Sequence, residues 1–502
     1  MGFFTTAFST ITFYAILGGA IFWLPLIIGT MSLSVFIAFA AFFAFVSWLA
    51  GPFVIDGIFA RLYGMQWITM AELRHRSPGS ASFIEDACTR HSFKLPRLGL
   101  IKDPSPNSFV YGHGRWDARL VVTEGLFSDL YENERVSVFA HEIGHIKSRD
   151  FVVMTPMSAL LQSLFELCLR FKFLKLPLGG LHSVLEFAAL PLSRHQEYCA
   201  DKYATQETHN NHLSMALLKI SYGIMNGNRR LADSAKYIGI TGVESAASGG
   251  IAYHNAKSSR SFESIKKGFL YDIVNPWASF AELGRAHPLL GKRLGRLSEA
   301  KNGLFDFASL EKGIDANKLR AGFAKDVAVM AVPLLLSVGF PLAYLALAFV
   351  GNSFRLDDIL GGWLIIAGIA NLVIILYKYP SGTPRTAMAI ELAADPYASL
   401  VRGKAVLLRG RIMDSVMGSV FQDKTGLVQA SYEASSPFGP SCKELVGKYA
   451  KVTGWFVRDA SGILIVDAVE SSEGKAGGFV KWRAVLESCV LMLGVIIALL
   501  II

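Results

Sequence analysis

The sequence predicts an α-helical membrane protein carrying a mainly α (α+β) domain, followed by a small C-terminal β-barrel. Composition is the first reason. The chain has 502 residues, of which 52% are hydrophobic and only 18% charged, and its mean hydropathy is +0.39. That is too apolar for an ordinary soluble enzyme. The second reason is a set of apolar runs, at both ends and in the middle, long enough to cross a bilayer. The third is the stretches between them, one with helical periodicity and one with short β-rich runs parted by turn residues. The net charge of +9 reads as a topology signal in such a chain, not as a nucleic-acid footprint. The five cysteines (Cys88, Cys168, Cys199, Cys442, Cys489) are odd in number and form no Cys-x-x-Cys pair. They argue against a disulfide framework or a cysteine-held metal, and for a reducing compartment.

Residues 1–55 read as an N-terminal transmembrane hairpin. No charge precedes Asp56, and Ile11–Ile28 and Leu33–Leu49 flank Gly29-Thr30-Met31-Ser32. A cleaved signal peptide has a basic start and a single shorter apolar run, so the hairpin is expected to be retained. Arg61, Arg74, His75 and Arg76 then mark residues 56–305 as cytoplasmic. Within that domain Asn107-Ser108-Phe109 and Leu120–Thr123 look strand-like, with Gly112 as a turn former between them. The apolar stretches Phe151–Leu169 and Leu181–Leu192 leave three readings open: two more spans, a hairpin dipping into the membrane at 151–192, or a buried core pair. Residues 226–265, rich in Gly, Ser, Asn and Ala, read as a mobile loop insertion.

A transmembrane pair is expected within 306–380, at 327–350 and 359–377. The connecting loop holds Arg355, Asp357 and Asp358, whereas Lys378 and Arg385 follow the second span, so the next domain is also placed in the cytoplasm. Residues 387–472 carry five candidate strands: Ala405–Ile412, Ser419–Gln422, Leu427–Tyr432, Ala450–Val457 and Ile463–Val469. Their number and order suit a small OB-like barrel. A last span at 485–502 follows Lys481 and Arg483, which puts the C-terminus outside.

The chemistry centres on Val136–Asp150, VSVFAHEIGHIKSRD. His141 and His145 stand at i and i+4, on one helix face, where two imidazoles can grip one zinc ion. Glu142 sits beside the metal as a base for water. Asn133 is a candidate cap, and Val136, Val138, Phe139, Ile143 and Ile146 have broadly helical spacing. A catalytic zinc needs a third protein ligand, and SRHQEYCAD downstream offers His195 and Glu197. Glu197 is preferred, because Asp201 lies one helical turn on and can hold a ligand imidazole from behind. Without the upstream motif, both acids would read as a solvated helix face.

HEIGH, then SRHQEYCAD about fifty residues later, with a charge-free hairpin in front, resembles the membrane-bound zinc peptidases that include the HtpX heat-shock proteases and the CAAX prenyl endopeptidases. Asn107-Ser108-Phe109, Val122–Leu126 and His287-Pro288-Leu289-Leu290 with Arg293 extend the likeness over residues 1 to 300. The long segment at 226–265 and everything after about 305 depart from it. The two-span start is closer to the HtpX type. The resemblance implies a zincin-type metalloprotease domain with one zinc ion per chain. It makes His141, His145 and Glu197 the ligands, Glu142 the general base and His287 the oxyanion donor. It gives Asp201 and Arg293 supporting roles, and Asn107, Ser108, Phe109 and Val110 an exposed edge strand that binds substrate backbone. His113 reads as a loop residue.

These readings imply an integral membrane protein of the inner or plasma membrane, with protease and barrel domains cytoplasmic. Protein or peptide substrates and membrane lipid are its partners, and membrane-protein quality control is its expected task. The alternatives are a processing protease for a defined, for example lipidated, substrate, and a non-catalytic zinc-stabilised scaffold. Arg402, Lys404, Arg409, Arg411, Lys448, Lys451 and Arg458 accompany Tyr449, Trp455 and Phe456 on the barrel. Tethering between spans argues against nucleic acid there, leaving substrate recruitment, regulation or homo-oligomer formation.

Overall fold

The computed structural model describes residues 33–492, except 171–174, 210, 227–239, 241–242, 260, 300–304, 352–355, 416–417, 432–446, 460 and scattered positions from 473 onward. The expected span Ile11–Ile28 and most of the expected C-terminal span lie outside the described residues. The chain forms two compact units, Met1–Tyr253 with Ser279–Phe307 and His254–Ala278 with Ala308–Ile502.

In the first unit, α1 (Leu33–Tyr63) runs from the second apolar stretch past Asp56 and Arg61. Its last turns bury Ile55 and Phe59 against Phe109, Tyr111 and Val121. After β1 (Gln66–Ile68), α2 (Met70–Arg76) opens on a capping box in which the Thr69 hydroxyl accepts from the Glu72 N–H at 3.2 Å. α3 (Pro78–Arg90), β2 (Arg97–Ile101), β3 (Ser108–Gly112) and β4 (Ala118–Thr123) follow. The strands form one sheet in the order β1-β2-β4-β3. β3 and β4 fall where the sequence places strands and pair antiparallel, Ser108 opposite Val122. β1 and β2 escaped the sequence reading. β2 is buried on both faces after Arg97, so it lacks the alternation that announces a half-exposed strand.

α4 (Glu124–Asp129) leads to the motif helix α5 (Glu132–Ser148). Asn133 lies inside this helix and not at its cap. Tyr131 holds the cap position, its N–H donating to Glu134 at 2.8 Å. α6 (Asp150–Arg170) and α7 (Lys175–Thr208) contain the two apolar stretches left open above. Met157, Leu161 and Leu164 of α6 pack on Leu185, Ala189 and Leu192 of α7, while Phe165, Val184 and Phe187 stay exposed on the same helices.

α8 (His212–Asn226) is followed by α9 (Val243–Ser259), α10 (Glu263–Val274), α11 (Pro276–Glu282) and α12 (Leu290–Ser298). The last turns of α9 and all of α10 belong to the second unit, and the chain returns to the first within α11. The loop expected at 226–265 is therefore largely helical where it is described. Its small residues serve close packing: a Cβ on Gly249 would lie 2.5 Å from Leu290 and 2.7 Å from Ser221. Tertiary contact outweighs the low helix propensity of glycine and serine here.

In the second unit, α13 (Ala308–Glu311) precedes α14 (Ala316–Gly351), the one described helix long and apolar enough to cross a membrane. It contains the expected span 327–350, and none of the described residues in its apolar window is buried. α15 (Leu356–Lys378) covers the expected span 359–377 and holds a shorter apolar helical stretch, Gly362–Lys378. β5 (Arg385–Thr386) and α16 (Ala389–Ala393) lead into β6 (Lys404–Ser415), β7 (Gly418–Gln422), β8 (Leu427–Ser431), β9 (Tyr449–Arg458), β10 (Gly462–Ser471) and β11 (Gly474–Gly477).

Five of these strands close into a barrel, β6-β7-β8-β10-β9 and back to β6. Closure relies on the length of β6: Lys404–Arg411 pair with β9 and Arg411–Ser415 with β7. β8 and β10 are parallel, the other barrel pairs antiparallel. All five fall on the expected runs. At one end Ile375 and Tyr379 pack with Trp455, Val457 and Ile465.

Candidate active site

Helix α5 sets two imidazoles on one face, His141 fully buried and His145 partly open. Their Nε2 atoms stand 3.2 Å apart. Each ring has a carboxylate behind it: His145 Nδ1 is hydrogen-bonded to Asp150 Oδ2 at 3.3 Å, and His141 Nδ1 lies 3.0 Å from Asp201 Oδ1, at ion-pair distance but without hydrogen-bond alignment. A carboxylate behind an imidazole places the proton on Nδ1 and turns the Nε2 lone pair forward. Two such lone pairs facing each other repel unless a cation lies between them.

Glu197 of α7 completes the group, with Oε2 3.6 Å from His141 Nε2 and Oε1 3.8 Å from His145 Nε2. Ligands about 2.1 Å from a tetrahedral zinc stand about 3.4 Å apart, so these separations fit a metal of that size. His141, His145 and Glu197 are the described group able to hold an ion. His195, the other candidate, turns to Cys199 at 3.6 Å, and His113 pairs with Asp117 and with the Leu49 carbonyl. The approach of α7 depends on Gly144 of HEIGH. A Cβ there would lie 3.1 Å from Ala200 Cα and 3.2 Å from the Tyr203 ring.

Arg293 of α12 neutralises the buried acids. It forks onto Asp201 (Nε to Oδ2, 2.8 Å; Nη2 to Oδ1, 2.7 Å), and Nη1 donates to the Ile240 carbonyl at 2.6 Å. Nη1 also stands 3.0 Å from Glu197 Oε2, but that buried oxygen accepts no aligned hydrogen bond. It is an acceptor in want of a partner, as a metal ligand is. His287 is buried with Nδ1 3.2 Å from Glu197 Oε1. Burial alone raises the Glu197 pKa, but Arg293 and His287 outweigh it and hold the carboxyl well below its ordinary range. Asp201 is lowered likewise, burial being overcome by Arg293 and His141. Burial disfavours a proton on His145, yet Asp150, Glu197 and Glu142 push its pKa up to about 9. The same field favours a bound cation.

Glu142 is buried and accepts from the Ser108 hydroxyl at 2.6 Å. Burial raises its pKa, opposed by His141, His145 and that hydroxyl. β3 is the sheet's edge strand, as expected, but Asn107–Val110 are buried and not exposed. The reasons are packing of Phe109 on Phe59, ring centroids 4.7 Å apart, and an Ile240 N–H donated to the Ser108 carbonyl at 3.0 Å. Sequence reasoning missed Asp150, the support of His145. Arg149 takes the left-handed conformation (φ 61°) between α5 and α6, and this corner swings Asp150 back onto the ring.

The side chains of the site, from Ser108 to Arg293, all lie within residues 79–301, which match Peptidase family M48. This segment is an M48 peptidase domain. It is 30% identical over 115 residues to a protease HtpX homolog of Methanothermobacter thermautotrophicus, covering 23% of this chain and 42% of the relative. It is 31% identical over 128 residues to one of Aquifex aeolicus, 25% of this chain and 39% of the relative. Against one of Thermococcus kodakarensis the identity is 24% over 208 residues, 37% and 68% of the two chains. The chain thus spans about two fifths of the length of the first two relatives. No solved structure matches significantly. The M48 match stops before α14, so the apolar helices and the barrel lie beyond it.

Proposed function

We propose that the chain is a membrane-embedded zinc endopeptidase that cuts peptide bonds at the cytoplasmic face and serves membrane-protein quality control. The observation that carries the reading is the convergence of two carboxylate-backed imidazole Nε2 atoms with Glu197, beside a buried Glu142 that ligates nothing in the protein. A purely structural zinc site has no use for such a carboxylate. Zinc held by His141, His145 and Glu197 would polarise water and the scissile carbonyl.

The protein's own groups do the rest. Glu142, aimed by Ser108, takes a proton from the attacking water and returns it to the leaving amine. His287, seated against Glu197, donates to the oxygen on which negative charge develops. Asp201, Arg293 and Asp150 hold the ligand set in place. Asn107–Val110 bind substrate main chain once the Ile240 contact on β3 yields, a mode tolerant of side-chain identity.

The exposed apolar surface of α14, and α15 beside it in the sequence, support anchoring in a bilayer. Lys378 and Arg385 support a cytoplasmic barrel. We read that barrel as OB-like from its strand order and the parallel β8–β10 pair, and assign it substrate recruitment or self-association.

The test compares wild type with Glu142→Ala, stripped by chelation in detergent and returned to zinc. About one zinc per chain in both forms, with casein cleavage by wild type alone, is the expected result. Equal cutting by both would point to a contaminant or a different catalytic base, and zinc bound with no cutting by either would put the scaffold reading ahead.

A further inference from the structure

At the start of α14, Lys318, Gly322, Lys325 and Asp326 follow i, i+4, i+7, i+8 spacing and share one helix face. They line a pocket of about 310 Å³. Gly322 makes the hollow. A Cβ there would lie 3.5 Å from Arg402 Nη2, so the guanidinium reaches over the space that glycine leaves. Lys318 Nζ stands 4.6 Å from the Tyr397 ring centroid, and Lys325 Nζ 5.9 Å from that of Tyr377.

The acid in this lining, Asp326, is buried and already satisfied. It accepts from Trp277 Nε1 at 2.9 Å, Tyr377 Oη at 2.6 Å and Ser399 Oγ at 2.6 Å. Arg402 lies 3.9 Å from it, and no other ion pair of Lys318, Lys325 or Arg402 occurs among the described residues. Asp315, outside the lining, spends its Oδ1 capping the Asn317 and Lys318 N–H groups. Three cations therefore converge on a small cavity against one saturated carboxylate.

The position of the pocket selects its ligand. From Val327 no charged residue occurs until Arg355, so Lys325 stands within one turn, and Lys318 within three, of the start of the apolar stretch. Leu319 and Phe323 add apolar lining, and Trp277 packs edge-on to Phe323 with centroids 4.9 Å apart. Aromatic rings with basic residues at the edge of an apolar segment are the interfacial arrangement of membrane proteins. Basic pockets there receive lipid headgroups.

We propose that this pocket binds the phosphate headgroup of an anionic lipid. The assignment rests on the reading of α14 as a membrane span. A cavity of about 310 Å³ has room for one headgroup.

The experiment titrates the full-length protein in neutral detergent with dioctanoyl phosphatidylglycerol, dioctanoyl phosphatidylcholine and inorganic phosphate. Binding is read as the rise in thermal unfolding midpoint. Wild type is expected to respond saturably to phosphatidylglycerol and little to phosphatidylcholine. At about fivefold per cation, Lys318→Gln with Lys325→Gln should weaken the response about thirtyfold. Gly322→Leu, which keeps every charge and favours helix, should also abolish it by filling the hollow.

Equal binding by wild type and both variants, or no preference for phosphatidylglycerol, overturns the proposal. So does inorganic phosphate binding as tightly with the same dependence on the variants, since the site would then take free anions. Flotation with phosphatidylcholine vesicles is scored separately. Failure to float strikes the membrane reading, whereas the detergent titration judges the pocket.

Discussion

Arg293 and Asp201 meet as a two-pronged pair, Nε to Oδ2 at 2.8 Å and Nη2 to Oδ1 at 2.7 Å, with both side chains buried. The pair links α12 to the helix that carries Glu197, and Asp201 in turn backs His141. One guanidinium thus fixes both the charge balance and the aim of the candidate metal site.

Removing it leaves two buried carboxylates short of their cation. Arg293→Ala should lower stability by about 3–5 kcal/mol, the usual cost of breaking a buried pair from one side. Arg293→Lys should recover only part of the loss, because a point charge cannot fork onto Asp201 and reach Glu197 together. Thermal unfolding in detergent, with zinc content measured alongside, checks this. A variant with the wild-type midpoint and full zinc would mean that the acids are neutralised in another way.

Asp150 acts on His145 alone, 3.3 Å from Nδ1. Asp150→Asn keeps an acceptor oxygen but loses the charge that favours the Nδ1–H tautomer. Zinc affinity should fall about 10–100-fold, as for other residues that support a ligand histidine, while the unfolding midpoint stays close to wild type. Competition with a chromogenic chelator gives the affinity directly, and an unchanged value would rule out a supporting role.

How far these roles were legible in the sequence follows from the range of the forces behind them. His141, Glu142 and His145 show themselves because one helical repeat sets their geometry. Glu197 and Asp201 show themselves because two acids one turn apart follow a paired-histidine motif that lacks a third ligand. Asp150 does not, since its part depends on a left-handed corner at Arg149 that no local preference announces. Ser108 was read as strand backbone, but its hydroxyl matters through a contact 34 positions away. The barrel strands were legible through alternation and turn residues. The helix at Val243–Ser259 was hidden because its glycines and alanines report neighbours instead of propensity.

That Ser108 contact carries a pH prediction. Glu142 must be ionised to take a proton, and burial raises its pKa while the Ser108 hydroxyl lowers it. Activity should therefore fall as pH drops through the Glu142 pKa. Ser108→Ala removes a bond that favours the carboxylate, so this acid limb should move to higher pH. With a hydrogen bond to a charged group contributing about 1.5–3 kcal/mol, the limb should move by about 1–2 pH units, and the rate at a fixed pH on that limb should fall accordingly. A pH–rate profile of peptide cleavage reads both effects, and an acid limb that stays in place would separate Ser108 from Glu142.

In the second unit, Asn255 stands in for a strand. Its Oδ1 accepts the Leu427 N–H at 2.7 Å and its Nδ2 reaches the Leu427 carbonyl at 3.4 Å, at the first residue of β8. The side chain is buried and packs so closely on Gly426 that an added Cβ there would lie 2.2 Å from Oδ1. Asn255→Ala should destabilise by about 2–3 kcal/mol, because it leaves buried backbone groups unpaired. Asn255→Asp is the sharper probe. It keeps the acceptor, loses the donor and buries a charge, so its carboxyl pKa in the folded state should lie above the unfolded value. The penalty should then be complete at neutral pH and shrink as pH falls toward the unfolded pKa of about 4, where a protonated carboxyl can donate again. Unfolding midpoints of wild type and Asn255→Asp that converge on acidification would show that the amide itself, and not packing volume, holds β8 in the barrel.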